Sequence, residues 1–149
     1  MKWIDLPPVW LAGFAALAWA QPVYLPMGLD FGGGWADFAG GVLVGGGLLL
    51  MALAFAEFRR HRTTVIPHMT PSSLIQSGIF SRTRNPIYLG DALILAGLIL
   101  RWDAVLSLVL VPIFVWVIER RFILPEEDRM RRVFRADFAR YAEKVRRWV

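Results

Sequence analysis

Apolar residues run almost without interruption through four stretches of the chain, about 9–29, 38–58, 86–100 and 104–124, and polar residues gather in clusters between them. A helix needs about 20 apolar residues to cross the hydrocarbon core of a bilayer. The first, second and fourth stretches meet that length, and the third, 86–100, is short. The pattern predicts an all-α integral membrane domain of four transmembrane helices, in which the third stands nearly upright or ends below the far surface. Only "RWD" (Arg101 to Asp103) separates the third stretch from the fourth, so these two are expected as an antiparallel hairpin. After Pro125, the residues Met130, Phe134, Phe138, Tyr141, Val145 and Trp148 recur at helical spacing among arginines. That periodicity predicts an amphipathic interfacial helix over 126–147, lying at the membrane surface or covering the core from below.

Smaller features refine this outline. Pro22 and Pro26 each remove an amide donor, which predicts an irregular outer half for the first span. Gly41 and Gly45, four apart at the start of the second span, are expected to let another helix backbone approach closely, and they permit a helix dimer. Segment 59–85 is a polar connection longer than a mere link requires, and such loops are commonly functional. No boundary or repeat divides the chain, so 1–149 is read as a single membrane domain.

Composition strengthens the membrane assignment. With 56% hydrophobic residues and a mean hydropathy of +0.48, the chain is too apolar for an ordinary soluble domain of 149 residues. Lys2, Arg59, Arg60, Arg62, Arg82, Arg84 and every Lys or Arg from Arg120 onward fall on one side of a four-span arrangement, and Arg101 alone falls on the other. The positive-inside rule therefore places both termini and the 59–85 loop in the cytoplasm, as for a bacterial inner-membrane protein. The sequence pI near 10.4 reads as topology and attraction to anionic membrane lipids, with no nucleic acid as partner. There is no cysteine, which excludes disulfides, thiolate metal sites and thiol catalysis. "ALAWA" (Ala16 to Ala20) resembles a leader cleavage site, but Asp5, Pro7 and Pro8 spoil the pattern, and a retained first span is expected.

Candidate chemistry gathers at two places on the cytoplasmic side. Asn85 and Pro86 have the form of a helix start, with Asn as cap and Pro at the first helical position. Gly90 leaves the face above Pro86 bare, open to a flat ligand or another backbone. Asp91 follows inside a short membrane helix, where an ionisable residue is a functional candidate by default. The second place is "PEED" (Pro125 to Asp128), whose acids suit a helix N-terminus or a cationic ligand. His61 and His68, with Glu57 one turn from His61, lack a third well-spaced ligand, and no metal is expected.

"SLIQSGIFSRTRNPIYLG" (Ser73 to Gly90), an apolar hairpin, "EED" and "VFRADFARYAEKVRRW" follow one another in an order that resembles the isoprenylcysteine carboxyl methyltransferase and phospholipid methyltransferase group of membrane enzymes. The resemblance implies a transferase that binds S-adenosylmethionine on the cytoplasmic side and methylates a lipophilic acceptor from the bilayer. By position in the motif, Leu74, Ile75, Phe80, Asn85, Pro86, Ile87 and Tyr88 would contact the cofactor. Gly78 and Gly90 would allow close approach, and Glu126 and Glu127 would hold the methionine end. No catalytic acid or base is assigned, and Arg84 and Arg121 are the candidates to position the substrate.

The chain also departs from the pattern. Phe122 stands where eukaryotic prenylcysteine enzymes have an arginine, Arg135 stands for the usual glycine after Phe134, and Phe138 stands for a tyrosine. The acceptor is thus left open between a prenylated thiol or carboxylate, an amine headgroup and a quinone-like isoprenoid. The alternatives in function are a non-enzymatic membrane packing or lipid-binding protein and a nicotinamide-dependent reductase on a related helical scaffold.

Overall fold

A computed structural model describes residues 6–25, 27–63 and 73–149. It is all-helical, with 78% helix, and no strand occurs among the described residues. Six α-helices follow in order: α1 (Pro7–Tyr24), α2 (Gly34–Arg60), α3 (Pro86–Arg101), α4 (Leu110–Ile118), α5 (Leu124–Phe134) and α6 (Ala136–Lys144). A short 3-10 turn, Gly78–Ser81, precedes α3, and another, Val105–Val109, leads into α4. His68 and Pro26 lie outside the described residues.

The closest packing in the molecule is between α2 and α3, and glycine makes it possible. Gly47 lies against Gly90 and Gly40 against Gly97, an antiparallel register in which both helices present glycine at intervals of seven. A Cβ on Gly47 would sit 2.5 Å from the Gly90 carbonyl oxygen, and one on Gly97 would sit 2.5 Å from that of Gly40. Small residues admit such backbone approach, which in lipid is a main source of helix association. The seam does not use the pair expected from the sequence. Gly45 has open space around it and Gly41 meets only the Arg101 guanidinium. A spacing of seven keeps residues on one face over two turns, whereas Gly41 and Gly45 lie on a different face of the same helix.

Opposite the seam, α3 packs Tyr88, Ala92, Leu95 and Ile99 against Ala18 of α1 and Phe114 and Ile118 of α4. Phe14 and Phe114 meet edge to face at 5.3 Å. The expected hairpin between α3 and the fourth segment is present. Asp103 turns the chain with φ of 50°, and its carboxylate accepts from the Phe31 amide at 3.3 Å. Apolar side chains outside this core face outward, among them Leu17, Trp19, Leu48, Leu49, Val109 and Trp116. An apolar surface of that extent marks a membrane or partner interface.

Several expectations are adjusted. By length and composition α2, with 27 residues, is the one helix among those described that is long and apolar enough to cross a membrane. Helix α1 continues through Pro22 and ends at Tyr24, because a proline two residues from the end forfeits a single amide bond. The fourth segment does not stop at Pro125. It continues as a π turn, Glu119–Ile123, directly into α5, with the Leu124 amide bonded to the Glu119 carbonyl. A proline ring collides with the carbonyl four residues earlier in a regular α-helix, and the wider π turn relieves that collision.

The terminal helix, expected to be continuous over 126–147, breaks at Arg135, whose φ of 48° and ψ of −117° suit glycine. It ends at Lys144, and Val145 is extended. The break leaves the apolar face intact in function. Met130, Phe134, Phe138, Tyr141 and Val145 converge with Ala54, Ile75 and Phe80 on a second core, at the end of the molecule where α2 finishes and α3 begins.

The glycine seam and the break at Arg135 lead to three stability predictions. Gly47→Leu should lower the detergent melting midpoint by the equivalent of roughly 3 kcal/mol or more, since the opposing atom is backbone and cannot yield. Gly45→Leu, with nothing near it, should be almost neutral in the same assay. Arg135→Gly should raise stability by about 1 kcal/mol by relieving the positive φ.

Candidate active site

The two polar clusters of the sequence meet through direct bonds. The Tyr88 hydroxyl, on the first turn of α3, donates to Glu126 Oε1 on the first turn of α5 at 2.6 Å. Arg84, just before α3, reaches Glu127 Oε2 at 3.5 Å. Thus the Arg-Asn-Pro-x-Tyr stretch holds the Glu-Glu pair of a helix that begins almost 40 residues later in the chain.

Glu127 is 5% exposed and is surrounded by arginines. Arg147 takes it as a fork, Nε to Oε2 at 2.7 Å and Nη2 to Oε1 at 3.0 Å, and its third nitrogen reaches Glu119 Oε1 at 3.1 Å. Arg131 adds a bond at 3.3 Å. The paired, planar geometry is the strong form of carboxylate recognition. Hydrogen bonding to Glu127 holds the Arg147 guanidinium protonated, raising its pKa above the ordinary arginine value against the opposing effect of burial.

These bonds fasten the extended C-terminal residues across the start of α3. The Arg147 carbonyl accepts from Asn85 Nδ2 at 3.0 Å, and the Arg146 carbonyl accepts from the Arg84 amide at 3.0 Å. Asn85 therefore makes no side-chain cap, contrary to expectation, because its amide is committed to the tail. Pro86 does occupy the first turn. Tyr141 of α6 donates to the Phe80 carbonyl at 2.7 Å, and burial pushes its phenol pKa up.

Beside this polar junction lies a cavity of about 430 Å³, a size typical of cofactor and drug-sized ligands. Leu74, Ile75 and Phe80 from the polar connection line it, as do Asn85, Pro86, Ile87 and Tyr88 from the start of α3 and Glu126 and Glu127 from α5. The far walls come from Leu6, Pro7 and Pro8 ahead of and within α1, Phe55 and Phe58 of α2, and Met130 and Phe138. Nine of the eleven residues expected to contact the cofactor thus border one space.

Gly78 and Gly90 do not. Gly90 faces Gly47 in the helix seam. Gly78, with φ of 60°, lets the connection lie directly on the carboxyl group of Glu57. That carboxylate, buried at the end of α2, also accepts from Ser77 Oγ at 2.7 Å, and Ser77 pairs with His61 Nε2 at 3.1 Å. Glu57 therefore fixes the connection whose Leu74, Ile75 and Phe80 form one wall of the cavity.

Of the substrate-positioning candidates, Arg84 borders the cavity and also stacks on Phe138 at 5.9 Å. Arg121 does not border it. Its guanidinium lies over Trp10 of α1 at 5.0 Å, since the π turn changes the directions that a regular helix would give. Phe122 is 1% exposed and packs against the Tyr88 ring. Asp91 is 2% exposed, its Oδ2 has no hydrogen-bond partner, and it does not border the cavity.

With this junction in view, comparison of the sequence with known families is decisive: the profile of phospholipid methyltransferases matches residues 35–137. The chain belongs to the phospholipid methyltransferase family. Neither a curated protein nor a solved structure gives a match. For a membrane methyltransferase family member, the matched span begins at the start of α2 and ends in α6, so it contains the glycine seam, the Tyr88–Glu126 bond and most of the cavity. It stops short of Arg147, which completes the junction.

Glu119, Arg129 and Arg147 were not singled out from the sequence. Glu119 carried a usable signal: it is an acid within the fourth apolar stretch, the same criterion that marks Asp91. The pairing of Arg147 has no local periodicity to reveal it, because its partner Glu127 is 20 residues away and α6 ends at Lys144.

If Glu127 is the centre of the junction, Glu127→Gln should lower stability by roughly 3 kcal/mol, because the partly buried guanidinium groups of Arg84 and Arg147 lose their counter-charge. It should also make the last residues susceptible to carboxypeptidase. Asp128→Asn, whose pair with Arg131 is exposed, should change stability by less than about 0.5 kcal/mol. Limited digestion and thermal denaturation of the two variants would check both expectations.

Proposed function

We propose that the chain is an S-adenosylmethionine-dependent methyltransferase that acts on a lipophilic acceptor reaching it from the bilayer. The observation that carries this reading is the convergence of the Arg-Asn-Pro-x-Tyr start of α3 and the Glu126–Glu127 pair on one cavity. The residues there fit the cofactor. Aliphatic and aromatic walls suit a nucleoside, and a carboxylate at one end suits the ammonium group beside the sulfonium. When bound, S-adenosylmethionine supplies an electrophilic methyl group for in-line displacement.

What the protein must add is orientation and dryness. Tyr88 fixes the Glu126 carboxylate through its hydroxyl, so that the acid is set before a ligand arrives. Phe80, Phe138 and Met130 exclude water from the apolar part of the cavity. Arg147 anchors Glu127, which makes Glu127 a positioning residue and leaves Glu126 as the carboxylate that meets the methionine end.

The acceptor side is supported by the apolar wall of Leu6, Pro7, Pro8, Phe55 and Phe58. Both α1 and α2 rest on α3, and the apolar residues they bring to the cavity are the wall we assign to the hydrocarbon part of the acceptor. Four bilayer crossings, with termini and site on the cytoplasmic face of a bacterial inner membrane, are the topology we infer from the distribution of Lys and Arg. Phe122 at the place of the arginine that contacts substrate in eukaryotic prenylcysteine enzymes argues for an acceptor without a carboxylate at that position.

Titration calorimetry on detergent-purified protein should give micromolar affinity for S-adenosylhomocysteine. Glu126→Gln should weaken it at least about tenfold, the loss of one charge-assisted bond, and Tyr88→Phe should weaken it less. Absence of binding by folded protein would overturn the reading in favour of a non-enzymatic membrane protein. Incubation with methyl-labelled S-adenosylmethionine and a bacterial lipid extract should put the label in the organic phase. Label confined to water-soluble products would contradict the bilayer-borne acceptor.

A further inference from the structure

Among the described residues, two cations border the cavity, Arg84 and Arg129. Arg84 is already committed, with its guanidinium beside Glu127 and over the Phe138 ring. Arg129 differs. It is half-buried on α5, and among the described residues it makes no hydrogen bond or ion pair. A guanidinium with five donors, half withdrawn from water at a cavity wall, calls for an acceptor.

Its position says what kind. Arg129 stands three residues after Glu126, on the same face of the same helix, so the two side chains rise from points about 5–6 Å apart. One is an acceptor of positive charge and the other a donor to negative charge. A lone anion, such as a phosphate headgroup, would meet Arg129 with Glu126 and Glu127 close by and be repelled. A zwitterion whose charges are one carbon apart satisfies both groups at once.

We propose that Arg129 binds the α-carboxylate of the cofactor's amino acid end while Glu126 binds its ammonium, so that α5 reads the zwitterion from one face. This rests on the cavity being the S-adenosylmethionine site and assigns within it a residue that the motif does not include. Arg129 acts on binding and takes no part in the transfer itself.

The test is calorimetry with two ligands, S-adenosylhomocysteine and its decarboxylated counterpart, which retains the amine and lacks only the carboxylate. Wild-type protein should bind the former more tightly. Arg129→Gln should weaken S-adenosylhomocysteine by about 10- to 100-fold and leave the decarboxylated ligand unchanged. Arg140→Gln, whose exposed partner is Asp137, is the control for a general loss of positive charge and should alter neither affinity. Equal losses for both ligands, or no loss for S-adenosylhomocysteine, would overturn the assignment. A variant with unchanged S-adenosylhomocysteine affinity but a raised KM for the lipid acceptor would overturn it in favour of an acceptor anion at Arg129. If wild-type protein binds neither ligand, the cofactor reading itself fails, and that result is distinct from any produced by the variant.

Discussion

A buried carboxylate that must be neutralised organises the end of this protein where α3 and α5 begin. Glu127 sits almost wholly out of water, and burial of an isolated ion is costly enough that it requires paired cations. The chain supplies them from three places: Arg84 before α3, Arg131 on the next turn of α5, and Arg147 from the C-terminus. Because these arginines are far apart in sequence, satisfying one charge draws together the connection, the start of α3, the junction of α4 with α5, and the tail. The cavity exists because those segments are held around it.

The glycine seam sets the other half of the geometry. With no side chains between them at Gly40–Gly97 and Gly47–Gly90, α2 and α3 approach as closely as backbone allows. That fixes the end of α2 beside the start of α3, where Phe55 and Phe58 form a wall and Glu57 holds the Ser77–Gly78 turn. A shift of α2 along α3 would therefore move both the wall and the turn. On α2 the seam glycines lie about two to four turns before Phe55, and on α3 Gly90 follows Tyr88 by two residues, so the seam governs the distance across the cavity. The π turn plays a comparable part in the fourth segment, since it carries the helix through Pro125 and aims Phe122 inward and Glu126 at Tyr88.

Much of this was legible in the order of residues, and the failures have physical causes. Apolar runs and proline and glycine punctuation gave the helices, the short α3 and the hairpin, because these depend on local preference and on burial. The motif gave most of the cavity wall. Gly90 permits close approach, and the sequence leaves open whether a ligand or a backbone comes; in the fold it is the backbone of Gly47, and not the cavity, that Gly90 meets. The choice of Gly40 and Gly47 over Gly41 and Gly45 depends on which face of α2 meets α3, and spacing within one helix carries no information about that. The break at Arg135 was hidden because an arginine occupies a conformation that suits glycine, and the periodicity of apolar residues continues across it. Long-range pairs such as Asn85 with the Arg147 carbonyl have no local signature at all.

The division of labour between the two adjacent acids follows from the same network. Glu127 is engaged by arginines that tie the fold together, and Glu126 accepts from the Tyr88 hydroxyl at the cavity wall. Two adjacent acids of one motif thus sit in different settings, Glu127 among arginines and Glu126 beside a tyrosine hydroxyl. The most direct measurement of the central claim is photochemical crosslinking of radiolabelled S-adenosylmethionine to the purified protein, with the labelled peptides mapped by mass spectrometry. Label is predicted on the peptides bearing Phe80, Tyr88 and Met130, and competed away by S-adenosylhomocysteine. Label confined to the connection between α1 and α2, or insensitive to competition, would contradict it.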